Sequence, residues 1–385
     1  MTRGLTLLFA IAGGAAVGNL YWAQPLLGLL ARSFDVSTGT AGLVVTVTQI
    51  GYALGVFFLV PLGDIVNRKR IIPLLMLAAA VFLTATALAP TFSALLATLA
   101  LIGVTTVAGQ FLTPLAGDLA TDETRGRVLG TVASGLVLGL LISRAISGIV
   151  ADLFGWRAIY FAAAGLMLIL TVVMARRLPA LEPRQRVGYG TLLASVVRTV
   201  RDRTVVTVML IGAATMSVFT MFWTGLTFLL AAAPFSFSAT QIGLVSLVGV
   251  LGAVAGMQVG RLHDRGLSLP ALGVGLGIVL LGLVVSGIGS GSLAVVLVSV
   301  AVFSVGVQTV QILAQTRMLS IDGTARSRLN TVFVVGNFIG GAIGSALAGS
   351  FWQIGGWPAV MLTAAVVIGF ALTVWAVQRS RALAS

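Results

Sequence analysis

Cysteine is absent from this 385-residue chain and histidine occurs once, at His263. No disulfide, thiol nucleophile or Cys-based metal site can therefore exist, and no histidine cluster is available for a metal or a proton relay. Neither a cofactor nor a metal is expected. Charge is equally scarce: Asp, Glu, Lys and Arg make up 9% of the chain, against roughly 25% in ordinary soluble domains. A globule so poor in charge could not keep its surface in water, which excludes a soluble enzyme. No Gly-rich loop ending in Lys-Ser/Thr is present to cradle the phosphates of a nucleotide, so ATP-driven pumping has no basis. A membrane-embedded enzyme or receptor would need a catalytic His/Asp/Ser cluster or a sizeable extramembrane domain, and the sequence offers neither.

What the chain does have is apolar length. Hydrophobic residues account for 58% of it, and the mean hydropathy is +1.10. Apolar runs of about 20 residues recur, the length a helix needs to cross the hydrocarbon core, whereas the ~10-residue alternating segments of an outer-membrane barrel do not appear. The expected fold is an all-α membrane protein with twelve transmembrane helices, from a first span at 4–31, through a fourth at 91–115 and a fifth at 128–153, to a last at 359–377. The N-terminal segment does not read as a cleaved signal peptide, because its apolar stretch is too long.

The formal net charge of +13 reads as a topology signal. With the N-terminus inside, 20 of the 23 Lys and Arg fall on one side, the exceptions being Arg32, Arg144 and Arg157. Lys and Arg accumulate on cytoplasmic loops, so both termini are expected in the cytoplasm, in an inner membrane. No segment is long enough to present a basic folded domain to nucleic acid.

The chain also repeats itself. Asp64 is echoed by Asp264, Arg125-Gly126-Arg127 by Arg326-Ser327-Arg328, Gly155-Trp156 by Gly356-Trp357, and Trp22 by Trp223, at offsets of 200 or 201 residues. Four matches in order at a near-constant offset imply two homologous six-span halves in parallel orientation. They are placed at 1–178 and 204–385, joined by a cytoplasmic linker at 179–203. The polar stretch 176–203 around that linker holds seven arginines.

The run Leu62-Gly63-Asp64-Ile65-Val66-Asn67-Arg68-Lys69-Arg70 resembles the loop between spans 2 and 3 of the major facilitator superfamily, where Leu-Ala-Asp-Arg-x-Gly-Arg-Arg is typical. Gly260-Arg261-Leu262-His263-Asp264-Arg265 is similar to the second copy of that loop. Ile65 and Asn67 stand where the family usually has Arg and Gly. The segment from Gly139 to Gly148 is similar to the family's antiporter motif in span 5, with Ser143 and Arg144 in place of Gly and Pro. The family's usual Arg in span 4 falls on Leu99. The resemblance covers the whole chain and implies two six-helix bundles in pseudo-symmetry, no enzymatic activity, and one substrate site near mid-membrane between the halves.

Candidate site residues follow from cost, because polar side chains inside spans are expensive unless they face a cavity or a helix contact. Those residues are Asn19, Tyr21, Trp22, Gln24, Gln49, Tyr52, Gln110, Trp223, Gln308, Gln311 and Asn337. Ser304, Gln308, Gln311 and Gln315 share one helical face by their spacing; they line a cavity or tie helices together. Arg144 stands roughly 24 Å beyond the start of its span at 1.5 Å per residue, and Asn19 at a similar depth. Arg144 is read as a ligand for an anionic or hydrogen-bond-accepting substrate, or as a structural charge. Asp64, Arg68, Arg70, Asp264 and Arg265 are candidate gating residues, Asp64 facing a helix N-terminus and the basic residues pairing with Asp118, Asp122 or Glu123; the bland alternative for the basic residues is topology alone. No acid lies mid-span, the closest being Asp35 and Asp152 near the external ends.

The function expected is secondary transport of a small organic molecule, by proton-coupled efflux. The alternative is uniport, exchange or import of a small organic anion bound by Arg144. Partners are the small-molecule substrate, protons and the lipid bilayer, with no nucleic acid, and the chain is expected to be a monomer.

Overall fold

A computed structural model describes residues 1–179, 188–264 and 267–380, apart from the side chains of Met257 and residues 260–264. Every regular element among them is helical. The main helices are α1 (Arg3–Gly18), α2 (Leu43–Leu59), α3 (Arg68–Ala87), α4 (Phe92–Thr105), α5 (Ala108–Leu119), α6 (Arg125–Phe154) and α7 (Trp156–Arg177). Within the linker lies α8 (Tyr189–Thr199), followed by α9 (Arg203–Ala231), α10 (Val250–Asp264), α11 (Ser268–Ile288), α12 (Leu293–Ser320) and α13 (Arg326–Gln378).

Ten helices among the described residues are long and apolar enough to cross a membrane, counting α4 and α5 as one, while α1 at 16 residues is shorter. The last of the ten, α13, is two helices joined at a break, since Gly355 and Gly356 lie outside helical geometry and Gly356 has φ +60°. Its counterpart one repeat earlier, Gly155, has φ +83° and separates α6 from α7. A left-handed backbone costs a non-glycine residue about 1–2 kcal/mol, so glycine is the natural choice at both corners. The tryptophan after each glycine is buried and its Nε1–H is used: Trp156 donates to Ser33 Oγ at 3.1 Å and Trp357 to the Ser286 carbonyl at 2.9 Å.

Two expected spans of the first half are interrupted. The first, drawn over 4–31, leaves α-helical hydrogen bonding after Gly18; Leu20, Tyr21 and Gln24 donate three residues back, to Val17, Gly18 and Tyr21. A single 3₁₀ turn Gln24–Leu26 and a short helix Leu27–Ser33 follow. Pro25 supplies part of the reason, because it lacks an N–H and disfavours the α conformation of the residue before it. The fourth, drawn over 91–115, breaks between α4 and α5, where Thr106 turns its hydroxyl away to the Ala16 carbonyl at 2.8 Å.

The chain forms two compact units. One comprises 1–34, 47–193 and 238–243, the other 35–46, 194–237 and 244–385. In the first unit α1 packs along α6 and α3 along α7; in the second α9 packs along α13 and α11 along α12. The approach is close enough to require glycine. A Cβ on Gly139 would strike the Gly14 backbone, and one on Gly340, its repeat equivalent, would strike Ala213. Each unit also takes a short segment from the opposite half of the sequence. Residues 238–243 lie against α6, where a Cβ on Gly148 would meet the Ala239 backbone and Asp152 accepts a hydrogen bond from Thr240 N at 2.8 Å. Residues 35–46 lie against α13, where Gly349 meets Gly39 and Thr46 shares a 2.8 Å hydrogen bond with Ser345.

Candidate functional site

In the first unit the polar candidates gather around the interruption that follows α1. Asn19 closes that helix and is used at both ends of its amide: its Nδ2 donates to Thr106 Oγ1 at 3.1 Å, and its Oδ1 accepts from Trp22 Nε1 at 2.9 Å. Tightened hydrogen bonding after Gly18 carries Tyr21 towards α6. There the Arg144 guanidinium lies over the Tyr21 ring, 4.9 Å from its centroid. Arg144 is 2% exposed and Tyr21 6%. A guanidinium stays charged at physiological pH, and a phenol face attracts it by about 0.5–2 kcal/mol, more as water is removed. The arrangement is therefore a buried, fixed positive charge with an aromatic support.

Neighbouring candidates pair locally or keep an acceptor open. Gln110 Nε2 donates to Tyr52 Oη at 3.0 Å. Gln24 and Gln49 are buried, and the Oε1 of each has no hydrogen-bond partner among the described residues. Ser147, one turn beyond Arg144 on α6, donates its hydroxyl to the Trp22 carbonyl and so fixes the interrupted segment against α6. Thr106 and Ser147 are the residues that sequence reasoning passed over. Hydroxyls in apolar helices usually bond their own backbone, and nothing in the sequence marks these two as reaching another helix.

In the second unit, α12 is a continuous helix and presents its amides on one face. Gln311 Nε2 donates to the Gly212 carbonyl of α9 at 3.1 Å, while its Oε1 accepts from Asn337 Nδ2 at 2.9 Å. Gln311 thus ties α12 to both α9 and α13. Gln315 accordingly bonds Asn330 at 3.1 Å. Gln308 is half-buried. Trp223 packs edge-on against Phe222 and Phe219. The hydroxyls of Thr224 and Ser304 and the Oδ1 of Asn337 are buried, with no hydrogen-bond partner among the described residues.

A separate charged cluster stands at the basic end of the first unit. Arg68 begins α3, capped by Asn67, and is 8% exposed. Its Nη2 meets Asp64 Oδ1 at 3.1 Å, its Nη1 meets Asp118 Oδ2 at 3.0 Å, and its Nε donates to the Gly63 carbonyl at 2.8 Å. One guanidinium therefore joins α3, the short helix Leu62–Ile65 and α5. Arg70 is exposed and forms no ion pair among the described residues. The side chain of Asp264 and the whole of Arg265 lie outside the described residues. Among the described residues no group of three His, Asp or Glu side chains could hold a metal ion, and no Asp or Glu is buried.

The family model described as Major Facilitator Superfamily matches residues 9–321. The uncharacterized transporter YgaY of Escherichia coli is 38% identical over 376 residues, covering 97% of this chain and 95% of that protein. The inner membrane transport protein YnfM, also of Escherichia coli, is 25% identical over 272 residues, 68% of this chain and 63% of that one. Among solved structures, the nucleoside transporter NupG superposes with a TM-score of 0.79 at 14% identity, covering 97% of this chain and 99% of that one.

Proposed function

The chain belongs to the major facilitator superfamily and is a multi-pass transporter; from that premise we propose that it carries a small organic molecule bearing an anionic or hydrogen-bond-accepting group, held by Arg144 and Tyr21. The supporting observation is the pair itself, a guanidinium 2% exposed with its charge 4.9 Å from an aromatic face. An Arg costs about 2.5–3.5 kcal/mol at the bilayer centre on the insertion scale and less on the outer side of the middle, where Arg144 is expected, and a substrate group that offers a planar pair of oxygens lowers that cost during part of each cycle.

In this reading, transport proceeds by alternating access of the halves 1–178 and 204–385, across an inner membrane with both termini in the cytoplasm. Gln24, Gln49 and Gln110 complete the lining within the first unit. Direction is outward and driven by exchange for protons, which the similarity of the span-5 segment to an antiporter motif supports. A second reading is uniport or exchange of an organic anion without protons. It is favoured by the position of the carboxylates, none of which is buried among the described residues.

Counterflow in liposomes with anionic, neutral and cationic compounds, with and without a pH gradient, tests both. Efflux predicts accumulation of an accepting compound that collapses when the gradient is removed. Accumulation of an anion that ignores the gradient supports the second reading. Accumulation of cations alone would contradict recognition by Arg144.

A further inference from the structure

We propose that the second unit carries a binding site for an anionic glycerophospholipid headgroup, of the phosphatidylglycerol type, in a groove between the start of α9 and the end of α13. The groove has a volume of about 360 Å³, at the lower end of the roughly 300–1,000 Å³ of small-ligand pockets. Arg203, Thr207 and Leu210 form one wall, with Thr373, Val377 and Gln378 on the other.

Its chemistry is graded along the helix axes. Arg203 to Leu210 is seven residues, or about 10 Å of depth at 1.5 Å per residue. At the mouth stand the Arg203 guanidinium and the Gln378 amide. Further in, the hydroxyls of Thr207 and Thr373 are turned onto their own backbones, donating to the carbonyls of Arg203 at 2.8 Å and Gly369 at 2.9 Å. What remains of the lining is methyl and methylene surface, and Leu210 and Val377 are 36% and 53% exposed. A cationic mouth above an apolar trough fits a phosphate above its glycerol and first methylenes.

The level of the mouth agrees with that assignment. Trp375 sits in the same stretch of α13, its Nε1 donating to the Leu269 carbonyl at 3.0 Å, and the Arg379 guanidinium lies 5.6 Å from its ring. Tryptophan and arginine are enriched at headgroup depth, and basic pockets between helices at that level suit lipid phosphates. The local charge favours a net anion, because Arg198, Arg201 and Arg379 also lie at this end. The nearby carboxylate of Asp202 is occupied, capping α9 through Thr204 N at 2.7 Å and Val205 N at 3.3 Å.

One more atom narrows the headgroup. Gln378 Oε1 is buried and has no hydrogen-bond partner among the described residues. It needs a donor beside the phosphate, which the glycerol hydroxyls of phosphatidylglycerol supply and a choline headgroup cannot.

The test uses the full-length protein in detergent. Bound lipid is identified by native mass spectrometry, and the thermal midpoint is titrated with phosphatidylglycerol, phosphatidylethanolamine, phosphatidylcholine and inorganic phosphate. Phosphatidylglycerol should co-purify and raise the midpoint, with an apparent affinity at least tenfold above that of phosphatidylcholine. Arg203→Gln should lower that affinity tenfold or more, the loss of one charge-assisted contact. Gln378→Leu should weaken phosphatidylglycerol while leaving phosphatidylcholine unchanged. Arg203 is exposed and Gln378 half-buried, and an unaltered midpoint without lipid shows that each variant is folded. Equal stabilisation by phosphatidylcholine, a full shift with inorganic phosphate alone, or undiminished affinity in folded Arg203→Gln would overturn the proposal. Preference for phosphatidylethanolamine would reject the anionic assignment.

Discussion

Arg68 is a single side chain with three partners, and its burial decides what removing it does. Exposed ion pairs contribute about 0–1 kcal/mol each, but Arg68 is 8% exposed and also donates to a backbone carbonyl. Loss of the guanidinium leaves Asp64 and Asp118 facing one another without their common counter-charge. Asp64→Asn is milder: it keeps the geometry and the Arg68–Asp118 pair. If this cluster works as a latch, Asp64→Asn should cut the transport rate several-fold and leave substrate affinity within a few-fold, because Asp64 is far in sequence and depth from Arg144. Arg68→Ala should do the same and lower the thermal midpoint as well. Initial-rate measurements over a range of substrate concentrations separate the two parameters. A large affinity loss at unchanged turnover would remove the latch from the account.

At the scale of elements, what matters is how closely the helices approach. In hydrocarbon there is little hydrophobic drive between helices, so small residues that let backbones touch supply much of the contact energy. Gly139 and Gly340 are equivalent positions of the repeat, one against Gly14 and the other against Ala213, and neither has room for a Cβ. Gly130, nine residues earlier on α6 and so on the opposite face, is exposed and has nothing within 4 Å of an added Cβ. Gly139→Leu should therefore cost at least the ~1–3 kcal/mol of an overpacked core, lowering the thermal midpoint markedly or preventing folding. Gly130→Leu on the same helix should leave it unchanged. Thermal unfolding of both in one detergent checks the contrast, and equal midpoints would show that the α1–α6 contact yields more readily than its geometry implies.

For the whole molecule, the expected topology can be read directly because the chain is free of cysteine. With both termini cytoplasmic, 188 lies inside and 291 outside. Cysteines introduced as Gly188→Cys and Gly291→Cys have no crowded side-chain space to fill, since no atom lies within 4 Å of an added Cβ at Gly291 and only Thr191 does at Gly188. An impermeant maleimide added to intact cells should label position 291 and spare 188. The reverse pattern would invert the topology.

Much of this architecture was legible in the sequence, because apolar length, glycine corners and repeated tryptophans are local signals. Gly155-Trp156 and Gly356-Trp357 were found by their spacing and turn out to be corner and anchor in each unit. The interruption after Gly18 was not legible: Asn19 to Ala23 are largely apolar or aromatic, and hydropathy alone cannot distinguish a tightened turn from a continuing helix. Nor was the placement of 35–46 against α13 and of 238–243 against α6, since such long-range packing leaves no periodic trace. Polar side chains inside spans could be picked out as costly, but not which would satisfy one another. Asn19 with Trp22, and Gln311 with Asn337, are cases in which the expense is met by a neighbouring side chain.

Arg144 is where the account is most exposed, and substrate counterflow by wild type, Arg144→Lys and Arg144→Ala in liposomes is its most direct test. Arg144→Ala should extract as a single folded species, with a thermal midpoint close to wild type, yet lose at least about 100-fold in substrate affinity, roughly 2.7 kcal/mol. Lys should restore only a small part, because an ammonium cannot make the planar two-pronged contact of a guanidinium. Arg144→Ala that folds and transports with undiminished affinity would contradict the account, as would one whose only defect is aggregation or a collapsed midpoint.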